Sequence, residues 1–529
     1  MNANASLPLL HHLDRMAAME TSVPACDVAK RSAMGLNALL HAASLSAEPP
    51  GAAEIAVRGV TDDSRRVRPG WLFVAVPGTK VDGHSFVGDA LASGACAVVT
   101  QRPTSVPSGV ALVVVDDCRS ALARLAMVFA GVDQLQSRDL LKLIGVTGTN
   151  GKTTTCYLIR SILAASGLPT ALLGTITYDL ISRQLPAPMT TPPPTQLAEH
   201  LAEVARAGVR HAVMEASSHA LHQRRLDGLT MAVSVFTNLS GDHLDYHGDM
   251  AHYLQAKKRL FDRLGPQAHA VVNADDPAAT LLLGDCPAPR MTYGLDGLAD
   301  VRASIHDSNL TGSRFELATP SGATTVELPL IGRHNVRNAL AAAAAALAMN
   351  LDLDTVRRGL AAVGQVPGRL QRAGSGAEPI TVLVDYAHTD DALQNVLASL
   401  QPLKKRQIIT VFGCGGDRDR TKRPRMGRVA TSLSDWVIVT SDNPRTERPE
   451  AIIDQIVVGM DAPTRRRTET EPDRRRAIER AVEMARDGDL VLIAGKGHEN
   501  YQDIGGERVG FDDMVAASQA MARRFGDGA

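Results

Sequence analysis

Aromatic residues make up only 3% of this 529-residue chain, too few for the stacking platforms on which proteins hold single-stranded nucleic acid. Charge of one sign is also missing: the formal net charge is −1, so neither nucleic acid nor an anionic membrane would attract the chain as a whole. The six cysteines (Cys26, Cys96, Cys118, Cys156, Cys286 and Cys414) are scattered, with no C-x-x-C pair. That spacing excludes a zinc ribbon and points to reduced thiols in a cytoplasmic protein rather than a disulfide framework. No stretch approaches the ~18 apolar residues of a membrane span. The nearest candidate, residues 339–349, is short and almost all alanine, which reads as a close-packed helix. Residues 1–34 hold one short apolar patch broken by His11, His12 and Asp14, unlike a secretory signal. A soluble protein with no membrane and no nucleic-acid partner is expected.

The length suggests roughly three domains at ~150 residues each. With 44% apolar and 21% charged residues, each domain can bury an ordinary core. The expected divisions are an N-terminal extension of unassigned role (1–35), a small α/β domain (36–120), a central domain (121–366) and a C-terminal α/β domain (367–529).

The strongest local signal is Gly145-Val146-Thr147-Gly148-Thr149-Asn150-Gly151-Lys152-Thr153-Thr154, which follows the apolar run 141–146. A buried strand, a glycine turn and a helix start aim backbone N–H groups and a helix dipole at one point. Lys152 adds a full charge there, and the Thr153 hydroxyl is placed to ligate Mg²⁺. The first glycine of the usual phosphate-loop pattern falls on Val146, with Gly145 and Gly148 flanking it. A glycine turn that binds nothing would leave Gly-Lys-Thr after a buried strand unexplained. The helix is expected over residues 154–165.

Upstream, short strands alternate with helical runs, implying a small α/β domain. Ser64, Thr79 and Lys80 fall at strand ends and turns, where ligands of such sheets bind. From spacing alone, ordinary turn chemistry is the favoured reading of these three. A strand (71–76), a helix (86–93) and another strand (97–100) are expected there. Downstream of the phosphate loop, the proline-rich 188–194 presents Thr190 and Thr191 on a loop that cannot enter a helix. His211-Ala212-Val213-Met214-Glu215 reads as a strand ending on a carboxylate. Beside Lys152 and Thr153, that carboxylate is well placed to hold Mg²⁺. The run 242–247 gathers His243, His247, Asp242 and Asp245 and is not the H-E-x-x-H helix motif of a zinc protease, since Leu244 stands where that motif has glutamate. By residue chemistry alone, Lys257 in the next helix reads as a solvated lysine. Asn335 lies at the polar start of the alanine-rich helix, where a nucleotide could face it.

Beyond the turn 366–369, four apolar strands end in polar clusters. These are 382–385, 408–412, 436–440 and 490–494, closed respectively by Asp385, Gly413 to Asp419, Ser441-Asp442-Asn443-Pro444-Arg445 and Gly495-Lys496-Gly497-His498-Glu499. In a parallel sheet those ends share one crevice. Fixed guanidinium groups mixed with carboxylates suit a zwitterionic ligand.

Taken together, residues 147–153, Met214-Glu215-Ala216-Ser217-Ser218-His219, Asp242-His243-Leu244-Asp245-Tyr246-His247-Gly248, Gly332-Arg333-His334-Asn335 and Asp385-Tyr386-Ala387-His388 resemble the Mur ligases. The resemblance runs in the family's order over residues 59–513. Residues 442–445 and 495–499 resemble the branch that takes meso-diaminopimelate. It implies three α/β domains: a central P-loop-type parallel-sheet ATPase domain, a small N-terminal domain for the UDP end of the substrate, and a C-terminal Rossmann-like domain. It also implies ATP-dependent amide ligation through an acyl phosphate, with UDP-MurNAc-dipeptide and meso-diaminopimelate as small-molecule partners, in a monomer.

Carried over by resemblance, Gly148, Thr149, Asn150, Gly151, Lys152, Thr153, Thr154, Asn335, Arg369 and Asp385 would lie against ATP. Ser64, Thr79, Lys80 and Val81 would hold the uridine end. Thr190, Thr191, Ser217, Gln223 and Arg225 would hold the muramoyl-dipeptide. Arg418, Asp442, Asn443, Pro444, Arg445, Gly495 and Glu499 would grip diaminopimelate. Thr153, Glu215, His243 and Lys257 would serve the magnesium sites, Lys257 as a carbamate, which reverses its residue-only reading. Met189 stands where the family often has asparagine, and Asp390 where it usually has proline. The lysine-adding relative and folylpolyglutamate synthase are rivals within the class, disfavoured because Arg445 answers a carboxylate that lysine lacks. A P-loop switch or motor ATPase is the rival outside it, and leaves the Arg418, Arg445 and Glu499 cluster without a role.

Overall fold

Apolar runs bounded by glycine, proline and acidic residues fold into parallel strands, and their register carries the polar strand ends to common edges. The structure is a computed structural model that describes residues 33–46, 54–78 and 81–526. Thr79, Lys80 and nearly all of the N-terminal extension lie outside the described residues.

Three main sheets are present. The first has four parallel strands in chain order, Gly59–Thr61, Trp71–Val74, Ala95–Thr100 and Ala111–Val114. Its expected helix over 86–93 is shorter. Asp82 accepts from the His84 N–H and tightens the entry into a 3₁₀ turn, Gly83–Phe86, before the helix Val87–Ala92. The helix Cys118–Ala130, capped by Asp117, leads to the central sheet. It is tied there by Ser120 Oγ donating to Asp227 Oδ2 (2.7 Å) and by Arg224 Nε beside Asp117 Oδ2 (2.8 Å).

The central sheet has eleven strands. Its heart runs Thr170–Leu173, His211–Glu215, Lys142–Thr147, Val233–Phe236 and His269–Asn273, all parallel. Such strands are covered on both faces and read as unbroken apolar runs. Alternation sorts their side chains: Leu143, Ala212 and Met214 enter one core, Ile144, Val146 and Val213 the other. The alanine-rich stretch is a buried helix, Arg333–Ala348, packed on the helix Lys152–Ala165. At its far end the sheet turns antiparallel through Val301–Asn309, Gly312–Thr319 and Gly322–Leu328.

The third sheet runs Gln371–Ala373, Thr381–Asp385, Leu490–Ala494, Ile408–Phe412, Trp436–Val439 and Thr468–Thr470, parallel except for its first strand. A hairpin, Tyr501–Ile504 with Glu507–Gly510, extends from it. No helix among the described residues is long and apolar enough to cross a membrane.

Candidate functional site

The strand Lys142–Thr147 delivers its loop between two parallel neighbours, with Glu215 paired to Val146 and Phe236 to Thr147. Gly148 sits at φ +148°, where a Cβ would fall 1.8 Å from Thr237 Oγ1, so only glycine fits. Asn238 fixes the loop: its backbone oxygen accepts from Thr149 N (2.8 Å) and its side-chain oxygen from Asn150 N (3.0 Å). Gly151, left-handed at φ +86°, turns the chain into the helix at Lys152, two residues before the expected start. Lys152 Nζ folds over the loop and donates to the carbonyls of Gly148 (2.9 Å) and Thr149 (2.8 Å). Burial lowers its pKa, while the charges of Glu215 and Asp242 oppose the shift. The buried Thr153 and Thr154 complete the first turn, whose N–H groups have no partner within the helix.

Glu215, 1% exposed, ends its strand beneath this turn. Its Oε1 accepts from Thr153 Oγ1 (3.0 Å) and Thr175 N (2.7 Å), and its Oε2 from Thr175 Oγ1 (3.0 Å). Gly174 leaves the carboxylate room, since a Cβ there would lie 2.5 Å from Oε1. Arg369 donates to Thr153 Oγ1 (3.1 Å) and stacks 4.7 Å from the centre of the Tyr386 ring. Asp385 accepts from Leu370 N (2.7 Å) and Ala387 N (2.8 Å), and burial raises its pKa. Asn335 is buried one step back: it bonds Asn338, whose Oδ1 would meet a Cβ on Gly151 at 2.4 Å.

The residue-only reading of Lys257 is overturned. Its helix, Met250–Lys258, turns Tyr253, Ala256 and Lys257 inward at i, i+3 and i+4, and Lys257 is 1% exposed. The ammonium lies 4.1 Å from the centre of the Tyr253 ring. Burial, then the charge of Lys152, drives its pKa well below the usual lysine value. His243 lies beside Asp242 (3.5 Å) in a left-handed turn at φ +55°, with its ring centre 4.8 Å from that of His219.

Lys152, Lys257, His243, Thr190, Thr191, Ser217, Arg225 and Arg418 line one cavity of about 350 Å³. Thr191 Oγ1 donates to the Glu215 carbonyl (2.7 Å) and accepts from Ser217 N (3.1 Å). Arg225 donates to the Thr191 carbonyl (2.7 Å), to Gln223 Oε1 (2.7 Å) and to the Met189 sulfur (3.3 Å). Met189 therefore braces Arg225. Ser64, half-buried at the head of a 3₁₀ turn, and the exposed Val81 are not among the residues lining this cavity.

In the third sheet the four strand ends do converge. Asp442 and Asn443 are buried, and Asn443 Nδ2 donates to Glu499 Oε2 (2.9 Å). Gly495, at φ +117°, leaves room for the Asp442 carboxylate, 3.1 Å from where its Cβ would stand. Arg445 follows Pro444 at φ +52°. The hairpin holds its backbone through Arg445 N to the Asp503 carbonyl (2.8 Å) and Gly505 N to the Arg445 carbonyl (2.7 Å). Its Nη1 donates to the Gly416 carbonyl (2.7 Å).

Several structural participants were not singled out from the sequence. Thr175 and Asn238 sit in unremarkable loops. Asp391 accepts from Asn150 Nδ2 (2.7 Å) and Ser240 Oγ (2.8 Å), joining the third sheet's first helix to the phosphate loop. Arg423, fully buried, forms a paired contact with Glu447 (2.9 Å twice) beneath the Arg445 loop. Lys496 stands inside Gly495-Lys496-Gly497-His498-Glu499, and the two glycines that flank it, both left-handed, were the signal in the sequence.

Comparison with known proteins agrees with this geometry. Residues 56–130 match the Mur ligase family catalytic domain, 146–346 the Mur ligase middle domain, and 368–497 the Mur ligase glutamate ligase domain. A UDP-N-acetylmuramoyl-L-alanyl-D-glutamate–2,6-diaminopimelate ligase from Solibacter usitatus is 46% identical over 478 residues, spanning 89% of this chain and 95% of its own. The protein of the same name from Geobacter metallireducens is 45% identical, covering 89% and 96%. A solved structure of a protein so named aligns at a TM-score of 0.66 with 37% identity, covering 93% and 99%. A MurF ligase from Thermotoga maritima in complex with ADP shares the fold at a TM-score of 0.60 and 18% identity.

Proposed function

This chain belongs to the Mur ligase family, and on that premise we infer that it is an ATP-dependent amide ligase of peptidoglycan precursor synthesis. It adds meso-2,6-diaminopimelate to UDP-N-acetylmuramoyl-L-alanyl-D-glutamate. A free carboxylate is a poor electrophile, so the D-glutamyl γ-carboxylate first attacks the γ-phosphorus of ATP and ADP departs. The diaminopimelate amine then attacks the acyl carbon, loses its proton, and expels phosphate. One observation carries this reading: Lys152 of the phosphate loop, Thr190 and Thr191 of the central sheet and Arg418 of the C-terminal sheet face a single cavity.

Residues 148–154, with Asn335, Arg369 and Asp385, take ATP. Lys152 and the first-turn N–H groups offset the charge of carboxylate and triphosphate brought together. Ser64, Thr79, Lys80 and Val81 take the uridine end, and Thr190, Thr191, Ser217, Gln223 and Arg225 the muramoyl-dipeptide. Arg418, Asp442, Asn443, Pro444, Arg445, Gly495 and Glu499 take diaminopimelate. Residues 36–120, 121–366 and 367–529 act as the UDP-binding, ATP-binding and amino-acid-binding domains. The resemblance to the family supports a monomer, and the soluble substrates support work in the cytoplasm.

Magnesium fits the donors present. Thr153 and Glu215 offer hard oxygens side by side, while among the described residues no group of three or more His, Cys, Asp and Glu could hold a metal unaided. Mg²⁺ is commonly held so, by one or two carboxylates with phosphates completing its shell. When bound, it neutralises phosphate charge. Thr153, Glu215, His243 and Lys257 would serve it, Lys257 as a carbamate. A lysine pushed well below its usual pKa yields its free amine more readily than an exposed one. That amine attacks CO₂, forming N–C and releasing a proton, and leaves an anion where a buried cation would face Lys152.

The test is phosphate release from ATP and the UDP-dipeptide, with diaminopimelate and lysine compared side by side. Release driven strongly by diaminopimelate and weakly by lysine is expected. Hydrolysis that needs no UDP-sugar would revive a switch or motor ATPase.

A further inference from the structure

Lys496 is fully buried at the edge of the third sheet, between Gly495 at φ +117° and Gly497 at φ +56°. A buried ammonium is tolerated only where its charge and its N–H groups are answered. Here Nζ lies 2.9 Å from Glu499 Oε2, 3.1 Å from Asn443 Oδ1 and 3.7 Å from Asp442 Oδ1. The Tyr501 ring closes the remaining side at 5.4 Å. Asn443 Oδ1 also accepts from Asp503 N (3.0 Å), and its Nδ2 donates to Glu499 Oε2 (2.9 Å). The two donors facing Oδ1 fix the amide's orientation, so its nitrogen is the atom turned to the carboxylate.

This arrangement determines what is left for a ligand. Glu499 Oε2 is occupied twice, leaving Oε1. Asn443 keeps one N–H. Asp442 Oδ1 is buried with no hydrogen bond. One ammonium against the two carboxylates Asp442 and Glu499 leaves a single negative charge, close to the Arg445 loop. A ligand end carrying one ammonium and one carboxylate completes both halves.

We propose that Lys496 is a positioning residue for amino-acid selection: it orients Asn443 and Glu499 and limits their cluster to one net negative charge, so that the cluster takes the ammonium–carboxylate end of a diamino acid. The proposal rests on the ligase reading above, and Lys496 itself need touch no ligand.

The test is Lys496→Met, which keeps an unbranched side chain one atom shorter and removes its charge, assayed by steady-state kinetics and thermal unfolding. Without Lys496, Asn443 and Glu499 lose the contact that orients them and the cluster carries a second unmatched negative charge, so the KM for diaminopimelate should rise roughly 30-fold or more. Turnover at saturation should stay within about 3-fold, and the constants for ATP and the UDP-dipeptide within about 2-fold. A purely structural role gives the opposite split: fewer folded molecules lower the apparent kcat and leave KM alone. A diaminopimelate KM within about 3-fold of the unaltered enzyme overturns the proposal. Should Lys496→Met fail to fold, Lys496→Arg carries the test. It keeps the charge but presents a planar fork, and a KM raised about 5-fold or more with kcat retained supports the proposal, whereas an unchanged KM overturns it. Failure of the ligase reading looks different, because the unaltered chain then releases no phosphate on addition of diaminopimelate, which overturns both.

Discussion

The central cavity and the C-terminal crevice both enclose lysines, half-buried Lys152 and buried Lys257 in one and buried Lys496 in the other, and they treat them in opposite ways. In the crevice each buried cation has its counter-charge: Lys496 has Glu499 and Asp442, Arg423 has Glu447, and Arg474 has Asp513 at 2.7 Å with both side chains fully buried. In the cavity Lys152 rests on carbonyl oxygens and Lys257 on an aromatic ring. Burial lowers the pKa of both, and the charge of Lys152 lowers that of Lys257 further. A region whose charges are already matched suits a ligand of nearly zero net charge. A region short of negative charge suits a triphosphate, a carboxylate and a carbamate. Electrostatics thus divides the chemistry before any substrate arrives.

The sharpest way to break this contrast is Lys152→Ala. On the proposed reading the lysine serves incoming anions, so turnover should fall by at least roughly 10²–10³-fold while the variant stays folded and its thermal unfolding changes little. Near-normal turnover in a folded variant would remove the phosphate-loop assignment.

A smaller and more selective effect is expected on the other side of the contrast. Arg445 is held by Pro444 and the hairpin, so little side-chain freedom remains to be lost on binding. A charge-assisted pair of this kind contributes about 2–5 kcal/mol on truncation. Arg445→Ala should therefore raise the KM for diaminopimelate roughly 30-fold or more and abolish preference over lysine. The constants for ATP and the UDP-dipeptide should hardly move. Full discrimination retained in that variant would shift the determinant to Arg418.

What the sequence revealed follows the same division between local and tertiary causes. The strands His211–Glu215, Ile408–Phe412 and Leu490–Ala494 were legible to the residue, because each is an apolar run stopped by a polar cluster. The convergence of the C-terminal clusters followed from parallel pairing. The helix after the phosphate loop starts earlier than expected because a left-handed Gly151 permits it. Lys257 was misread from its residues because a lysine in a polar helix is ordinarily solvated, and only the resemblance to a family placed it at the site. Asp391 could not be foreseen, since its partner Asn150 is 241 residues away in sequence. The Arg423–Glu447 pair is likewise a tertiary fact.

The most direct test of the charge contrast is the chemical state of Lys257. The active enzyme, equilibrated with ¹³C-labelled bicarbonate, should show a carbamate carbonyl signal that is absent from Lys257→Ala. That variant should be inactive and partly rescued by short-chain carboxylates that restore an anion in the cavity. A fully active preparation in which Lys257 carries no modification would contradict the account, because the cavity would then work without the anion that the account sets against Lys152.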